Sequence, residues 1–305
     1  MILVNNKNWK FEFIKEVWFK LEKEMQDMTE KNLRELFWLD FIWTEFQLNN
    51  LRIDSIAFDE ENNSFVIIEF KKWSSYSVID QWFSYLSLLL NNKANFVLLL
   101  SQKKNKILKI EDVDWSQSRV IFIADSFTRY QQESINFKDL PIELWEMKQF
   151  SNWNIIYNQI KASNTAESIK TVTKFSSEIK EIEKEIKTYS EEDHLKWKTE
   201  EIIDLYENIK KWLLEIDNNI TVIPKKLYIA FKINKINLID IEIRKKDLKI
   251  WINLKYWELN DLYWITRNVK DSWHWWNWDY EIKIENEENL IKILDLIQQA
   301  YKKYC

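Results

Sequence analysis

Glycine is missing from all 305 residues. A globular chain ordinarily carries it at roughly 7%, because tight turns and helix C-termini need a residue that tolerates positive φ. Proline occurs twice, cysteine once (Cys305) and histidine twice. A single cysteine excludes a disulfide framework and fits a reducing, cytoplasmic setting. His194 and His274 lie far apart in sequence, so no zinc-ligand spacing is present. No Ser-His-Asp arrangement can be read, and no phosphate-cradling G-x4-G-K-[ST] loop, even with glycine restored at tryptophan positions. No run of about 18 apolar residues exists, since Asn91–Lys93 interrupts the strongest candidate, Tyr85–Leu90 with Phe96–Leu100. Met1–Lys10 lacks the apolar stretch of a secretory signal. Arginine is scarce, six among 44 basic residues, and 49 acidic residues leave a net charge of −5. That argues against a wholesale phosphate-binding surface and confines any nucleic-acid reading to a local site and local lysine patches.

Tryptophan is present in excess, 18 residues, about the number expected of glycine. Several stand where glycine belongs: Trp38 just past a helical segment, Trp73 at the end of a strand, Trp257 before a polar loop, and Trp273, Trp276 and Trp278 in one polar loop. Some bacterial lineages read UGA as glycine, and such a gene translated with tryptophan at UGA yields this pattern. Abundant Ile, Asn and Lys with little Arg suggest an AT-rich genome. Trp115, Trp145, Trp251 and Trp275 sit in apolar or aromatic settings that suit a real tryptophan.

Periodicity predicts a helix over 11–37, from Phe11, Ile14, Val17, Leu21, Met25 and Met28 and then Leu33, Leu36 and Phe37. Strands are expected at 41–48, 51–58 and 64–71, joined by Asn49-Asn50 and Glu60–Asn63. A helix over 77–91, a strand over 94–101, a basic loop Lys103–Lys109, a strand Arg119–Ala124, a short helix Thr128–Ser134 and a strand Ile142–Glu146 complete a domain of residues 1–160. Its expected order is α-β-β-β-α-β extended by β-α-β, an α/β fold. Residues 161–190 are rich in Ser, Thr, Lys and Glu and read as a linker or an exposed helix. Residues 191–305 predict a smaller α+β domain: an amphipathic helix 191–216, strands Lys226–Lys232, Ile236–Arg244, Leu248–Leu254 and Tyr280–Ile284, and a closing helix Glu288–Lys303.

Chemistry concentrates on two of these strands. Arg52-Ile53-Asp54 lies in one, and Glu69-Phe70-Lys71 in the next. Glu69 and Lys71 share a face because side chains alternate along a strand, and pairing of the strands brings Asp54 beside Glu69. Two adjacent carboxylates repel unless a hard cation such as Mg²⁺ or Mn²⁺ sits between them. Lys71 then stands where it can orient a water. A plainer reading makes Glu69 and Lys71 an ion pair on a solvated strand, worth under about 1 kcal/mol. The nearly continuous apolar run around Glu69 argues for burial and hence for a partner.

The spacing Asp54-x14-Glu69-x-Lys71 after a helix resembles the PD-(D/E)XK nuclease superfamily. Gln81-x3-Tyr85, one turn apart on the next helix, and the form Arg52-Ile53-Asp54 resemble its RecB-like and mismatch-endonuclease-like branch, which has a tRNA-endonuclease-like core. No proline precedes Asp54; Ile53 stands there. Over residues 11–150 the resemblance implies a restriction-endonuclease-like mixed sheet and metal-dependent hydrolysis of a nucleic-acid phosphodiester, DNA before RNA. Mg²⁺ or Mn²⁺ would be held by Asp54 and Glu69. Glu24, or Glu22, would be the supporting helix acid, Lys71 the water-positioning amine, and Gln81 and Tyr85 would orient Lys71 or the phosphate. Arg52, Lys72, Lys103 and Lys104 are candidate phosphate contacts, although a lysine run is also ordinary solvated surface. A homodimer is compatible with this reading. Trp273–Tyr280 with glycine restored, together with the final helix, resembles a small domain of unknown function that follows nuclease-like halves. The rival expectation is a nucleic-acid- or protein-binding module that keeps the scaffold without cleaving. A transport-related reading finds no membrane segment to support it.

Overall fold

In the computed structural model, residues 3–72, 78–137, 140–163, 166, 185–233, 236–270 and 278–305 are described. Trp73, Trp273, His274, Trp275 and Trp276 lie outside them. The chain divides into two units, Met1–Thr188 and Tyr189–Cys305.

The first unit begins with a hairpin, β1 (Val4–Lys7) and β2 (Lys10–Phe13), then β3 (Glu16–Val17), α1 (Glu22–Lys31) and α2 (Leu33–Phe37). The helix expected over 11–37 therefore exists only in its second half. Lys10-Phe11-Glu12-Phe13 alternates, and a two-residue turn, Asn8-Trp9, pairs Lys7 with Lys10. Both turn residues have positive φ, 52° and 66°, as a type I′ hairpin turn requires. Asn-Gly would have announced that hairpin; Asn-Trp conceals it.

The meander is as expected: β4 (Asp40–Leu48), β5 (Leu51–Asp59) and β6 (Ser64–Lys71), paired antiparallel. α3 (Val78–Asn91) follows, and then α4 (Lys93–Lys104) where a strand was expected. Phe96–Leu100 is apolar throughout, and such a run does not distinguish a buried strand from a buried helix. Asn105 ends α4 in the left-handed region, and the Lys106 N–H returns to the Ser101 carbonyl at 3.1 Å, a Schellman-type stop. Lys103 and Lys104 thus belong to a helix rather than to a basic loop. β7 (Arg119–Ala124), α5 (Arg129–Ser134), β8 (Ile142–Phe150) and β9 (Ile155–Ile160) close the unit, β9 without having been anticipated. The sheet order is β3-β8-β7-β6-β5-β4, with β9 also on β8. Strands β6, β7 and β8 run parallel and the other pairings are antiparallel.

Alternation along β6 divides the core. Phe65 and Ile67 pack with Trp82, Leu86 and Phe96 from α3 and α4, whereas Val66, Ile68 and Phe70 pack with Met25 and Leu33 from α1 and α2. At the turn end of the sheet, Arg119 bridges Asp59 at 2.8 Å and Glu143 at 2.7 Å. Of the segment expected as a linker or exposed helix, residues 161–163, 166 and 185–190 are described. There Ile186 is buried in the α3–α4 core and the Lys187 N–H donates to the Ser116 carbonyl, so these residues pack on the first unit.

The second unit contains α6 (Glu191–Leu195), α7 (Glu200–Ile216) and α8 (Leu290–Tyr304), with strands β10 (Thr221–Pro224), β11 (Ile229–Ile233), β12 (Ile236–Ile243), β13 (Leu248–Ile252), β14 (Arg267–Asn268) and β15 (Tyr280–Ile284). The strands form an antiparallel sheet, β10-β11-β12-β13-β15-β14. Ile202, Leu205, Ile209 and Leu213 of α7 pack with Ile293, Leu296 and Ile297 of α8 against Phe231, Ile241, Ile250 and Ile282. The single helix expected over 191–216 is broken between α6 and α7, where Trp197 adopts φ 62°.

Trp9, Trp38, Trp153, Trp197, Trp257 and Trp264 all have positive φ. They make up six of the eleven positive-φ residues among those described, and four of the others are asparagine. Trp38 caps α2: its N–H reaches the Arg34 carbonyl, the single bond of an αL motif whose left-handed position favours glycine, and the Leu39 N–H reaches back to the Leu33 carbonyl. Trp9, Trp197 and Trp264 are 95%, 93% and 91% exposed, so their rings contribute little burial.

Candidate functional site

β6 supplies an acid and an amine. Because Ile67 faces α3, alternation sends Glu69 and Lys71 to the same side. Lys71 Nζ donates to Glu69 Oε1 at 2.9 Å. Glu69 is 3% exposed, and its second oxygen, Oε2, is buried without a hydrogen-bond partner among the described residues. Burial, reinforced by the charge of Asp54 and opposed by Lys71, pushes the Glu69 carboxyl up to about 7.

β5 supplies Asp54. Ser55 with Ile68 is the last rung of the β5–β6 ladder; Asp54 and Glu69 lie just beyond it, and the Asp54 charge reaches Glu69. Asp54 Oδ2 accepts the N–H of Phe70 at 2.9 Å, which fixes its carboxylate against β6. Asp54 is 8% exposed. Burial holds its carboxyl above the usual range, with the Phe70 N–H and Lys71 pulling the other way.

α3 covers this pair. Tyr85 is buried, and its hydroxyl donates to the Arg52 carbonyl at 3.4 Å. Burial and then the Glu69 charge raise its phenol. Tyr85 favours the Glu69 carboxylate by proximity, short of a formed hydrogen bond to Oε2. Gln81 lies one turn earlier with Oε1 buried and without a hydrogen-bond partner among the described residues.

Asp54, Glu69, Lys71 and Tyr85 therefore come together, with Arg52 two residues from Asp54 and Gln81 one turn from Tyr85. Glu24 does not join them: its carboxylate accepts the Lys20 N–H at 2.9 Å, and α1 packs on the opposite sheet face. Glu22 is nearer the site strand, accepting the Lys72 N–H at 2.6 Å, while Lys72 Nζ donates to the Lys20 carbonyl. Lys103 Nζ lies 5.5 Å from the Phe41 ring, and Lys104 pairs with Glu60 at 2.7 Å over the Phe58 ring. Lys103 and Lys104 thus engage rings and an acid of β4, β5 and the β5–β6 turn rather than the acid pair. Among the described residues no group of three or more His, Cys, Asp or Glu could hold a metal ion, so the acidic centre is the Asp54–Glu69 pair.

Two contributors were not anticipated. Buried Gln26 of α1 donates through Nε2 to the Asp54 carbonyl at 2.8 Å and is also within reach of Thr44 and Glu30, tying α1 to the backbone that carries the acid. Its helical spacing beside Met25 offered no signal, because an amide at a core boundary is recognised only by its partners. Glu45 of β4 pairs with Arg52, Nε to Oε2 3.2 Å, and its charge reaches Asp54. Strand register alone reveals that proximity.

Residues 191–303 match a family described as a domain of unknown function, DUF5655. Among solved structures, a repair endonuclease from Pyrococcus abyssi is similar at 18% identity and TM-score 0.25, over 43% of this chain and 49% of that one. The EndoMS–dsDNA complex is similar at 17% and 0.24, over 44% and 50%. Pyrococcus furiosus SfsA in complex with Ca²⁺ is similar at 14% and 0.25, over 46% and 63%. The chain thus spans about half the length of the two endonucleases. An uncharacterized protein of Haemophilus influenzae strain Rd is 47% identical over 302 residues, covering 99% of this chain and 100% of its own length. At that identity and coverage, the chain belongs to the same protein family as the Haemophilus influenzae protein.

Proposed function

We propose that this protein is a divalent-metal-dependent phosphodiester hydrolase of nucleic acid, with DNA the first substrate to test. The observation that carries the reading is the buried Asp54–Glu69 pair, one of whose oxygens, Glu69 Oε2, has no hydrogen-bond partner among the described residues. A buried carboxylate oxygen left without a partner is costly, and a hard cation with oxygen ligands would satisfy it. The residues thus fit Mg²⁺ or Mn²⁺, held by Asp54 and Glu69. When bound, such an ion acidifies a water and offsets charge on the scissile phosphate. Asp54, tied through Oδ2 to the Phe70 N–H, keeps its remaining lone pairs oriented to one side. Lys71 holds its ammonium 2.9 Å from Glu69 Oε1, from which it can donate to the attacking water or to a phosphate oxygen. Tyr85 closes the α3 side and limits water entry, and Gln81, one turn earlier, keeps a buried Oε1 without a hydrogen-bond partner among the described residues, available to an amine or to a phosphate's hydration. The arrangement also supports the PD-(D/E)XK resemblance and its RecB-like branch.

Labelled single-stranded, branched and mismatched DNA, with RNA alongside, should be cut in the presence of Mg²⁺ or Mn²⁺. Asp54→Ala should lower the rate at least a hundredfold. Wild-type protein that binds these substrates and cuts none favours the second reading, a non-cleaving binding module, which the net charge of −5 and the engaged Lys103 and Lys104 support.

We further propose that most of the tryptophans stand for glycine encoded by UGA. The cluster of tryptophans at positive φ supports this. Intact mass of the protein from its native source decides: a mass requiring 18 tryptophans overturns the proposal.

A further inference from the structure

Glu45 has a backbone conformation that a glutamate has no intrinsic reason to adopt. It lies within β4, yet its φ is 51°, where Cβ crowds the following carbonyl oxygen. Its neighbours are in register, Thr44 with Ser55 and Phe46 with Ile53, so Glu45 occupies the step that Asp54 occupies on β5. Like charges directly opposed across a ladder repel. Glu45 is instead engaged by two cations, Arg52 Nε at 3.2 Å and Lys23 Nζ at 3.7 Å. Arg52 and Asp54 are two apart on one strand, so they share a face, and a guanidinium fork matches a carboxylate in two-point geometry. Left to itself, Arg52 has an obvious second partner in Asp54. Strain of the kind seen at Glu45 persists only where its surroundings over-determine it, and it clusters at functional sites.

We propose that Glu45 is a positioning residue that draws the Arg52 guanidinium away from Asp54 and so leaves Asp54 available to a divalent cation. The inference rests on the reading of Asp54 and Glu69 as a cation site. It assigns to the Glu45–Arg52 pair a function other than stability: an exposed ion pair contributes little to folding, but the choice of partner decides whether Asp54 is occupied by a side chain or open to an ion.

The test is calorimetric titration of Mn²⁺ into the full chain at pH 8, with melting temperature measured in parallel. Glu45→Gln should weaken Mn²⁺ about tenfold, the lower range for residues that orient metal ligands. Arg52→Gln alone should bind at least as tightly as wild type, and Glu45→Gln/Arg52→Gln should return to wild-type affinity. Glu45→Gly should melt higher than wild type, with the strain removed, yet bind Mn²⁺ more weakly. Wild-type affinity in Glu45→Gln overturns the proposal. So does a double variant as weak as Glu45→Gln, because Glu45 would then act on the ion directly. Asp54→Ala separates the two levels: loss of Mn²⁺ binding there sustains the cation site whatever Glu45 does. Binding unchanged in Asp54→Ala, or no binding by wild type, ends both.

Discussion

Glu69 is where the protein accepts an electrostatic cost. Its carboxyl ordinarily titrates near 4.5 and is pushed up to about 7 by burial and by Asp54. Between these values the folded chain holds a proton that the unfolded chain releases, so stability from this group falls as pH rises from about 4.5 to 7 and stays low above it. At 1.36 kcal/mol per pH unit the shift corresponds to about 3 kcal/mol. Glu69→Gln should therefore be more stable than wild type at pH 8 without divalent ions, and the gap should close towards pH 4.5. Melting temperatures at both pH values check this; equal temperatures at pH 8 count against it. The same shift predicts that Mn²⁺ affinity declines as pH falls below about 7, because the proton competes for the carboxylate; a flat calorimetric profile from pH 8 to 6 would contradict it. Asp54, Glu69 and Lys71 were legible in the sequence because strand alternation and a two-residue spacing fix a shared face. Gln26 and Glu45 were not, because the first acts through a helix-to-strand contact and the second through the register of two strands.

At the scale of elements, punctuation decides which boundaries the sequence displays. β4, β5 and β6 are bounded by Asn49-Asn50 and by Glu60–Asn63, ordinary turn sequences, and their positions were anticipated to within a residue. The β1–β2 hairpin and the break between α6 and α7 were missed at Trp9 and Trp197, where a glycine would have signalled a turn. Non-glycine residues in the left-handed region cost about 1–2 kcal/mol each. Trp38→Gly in the α2 cap should therefore raise stability by about 1 kcal/mol in protein made with tryptophan, as measured by urea denaturation. A drop in stability would mean that the Trp38 ring is needed where it stands. α4 is hidden in the sequence for another reason: its apolar run is compatible with either period, and burial of Phe96 and Leu100 in the α3–α4 core selects the helix.

At the scale of the whole molecule, each unit encloses its own apolar core. The core of the second unit is made entirely of residues 202–300 together with side chains packed around them. Residues 189–305 produced alone should fold cooperatively, giving a single sigmoidal urea transition by circular dichroism. A broad, non-cooperative transition would show that this unit depends on the first. Residues 1–188 should retain Mn²⁺ binding, since every member of the acid pair and its cover lies within them.

Composition alone determined that the chain has enough apolar residues for its cores and that no disulfide staples them. Local pattern determined the meander and the acid–amine pair, because period-two alternation and turn residues act over a few positions. Tertiary structure alone decided that α4 is a helix, that Glu24 turns away while Gln26 reaches the Asp54 backbone and Glu45 pairs with Arg52, and that Glu69 is dry enough to hold its proton near neutrality. Those outcomes depend on which surfaces meet, and burial, register and dielectric are properties of the packed assembly rather than of any stretch of chain.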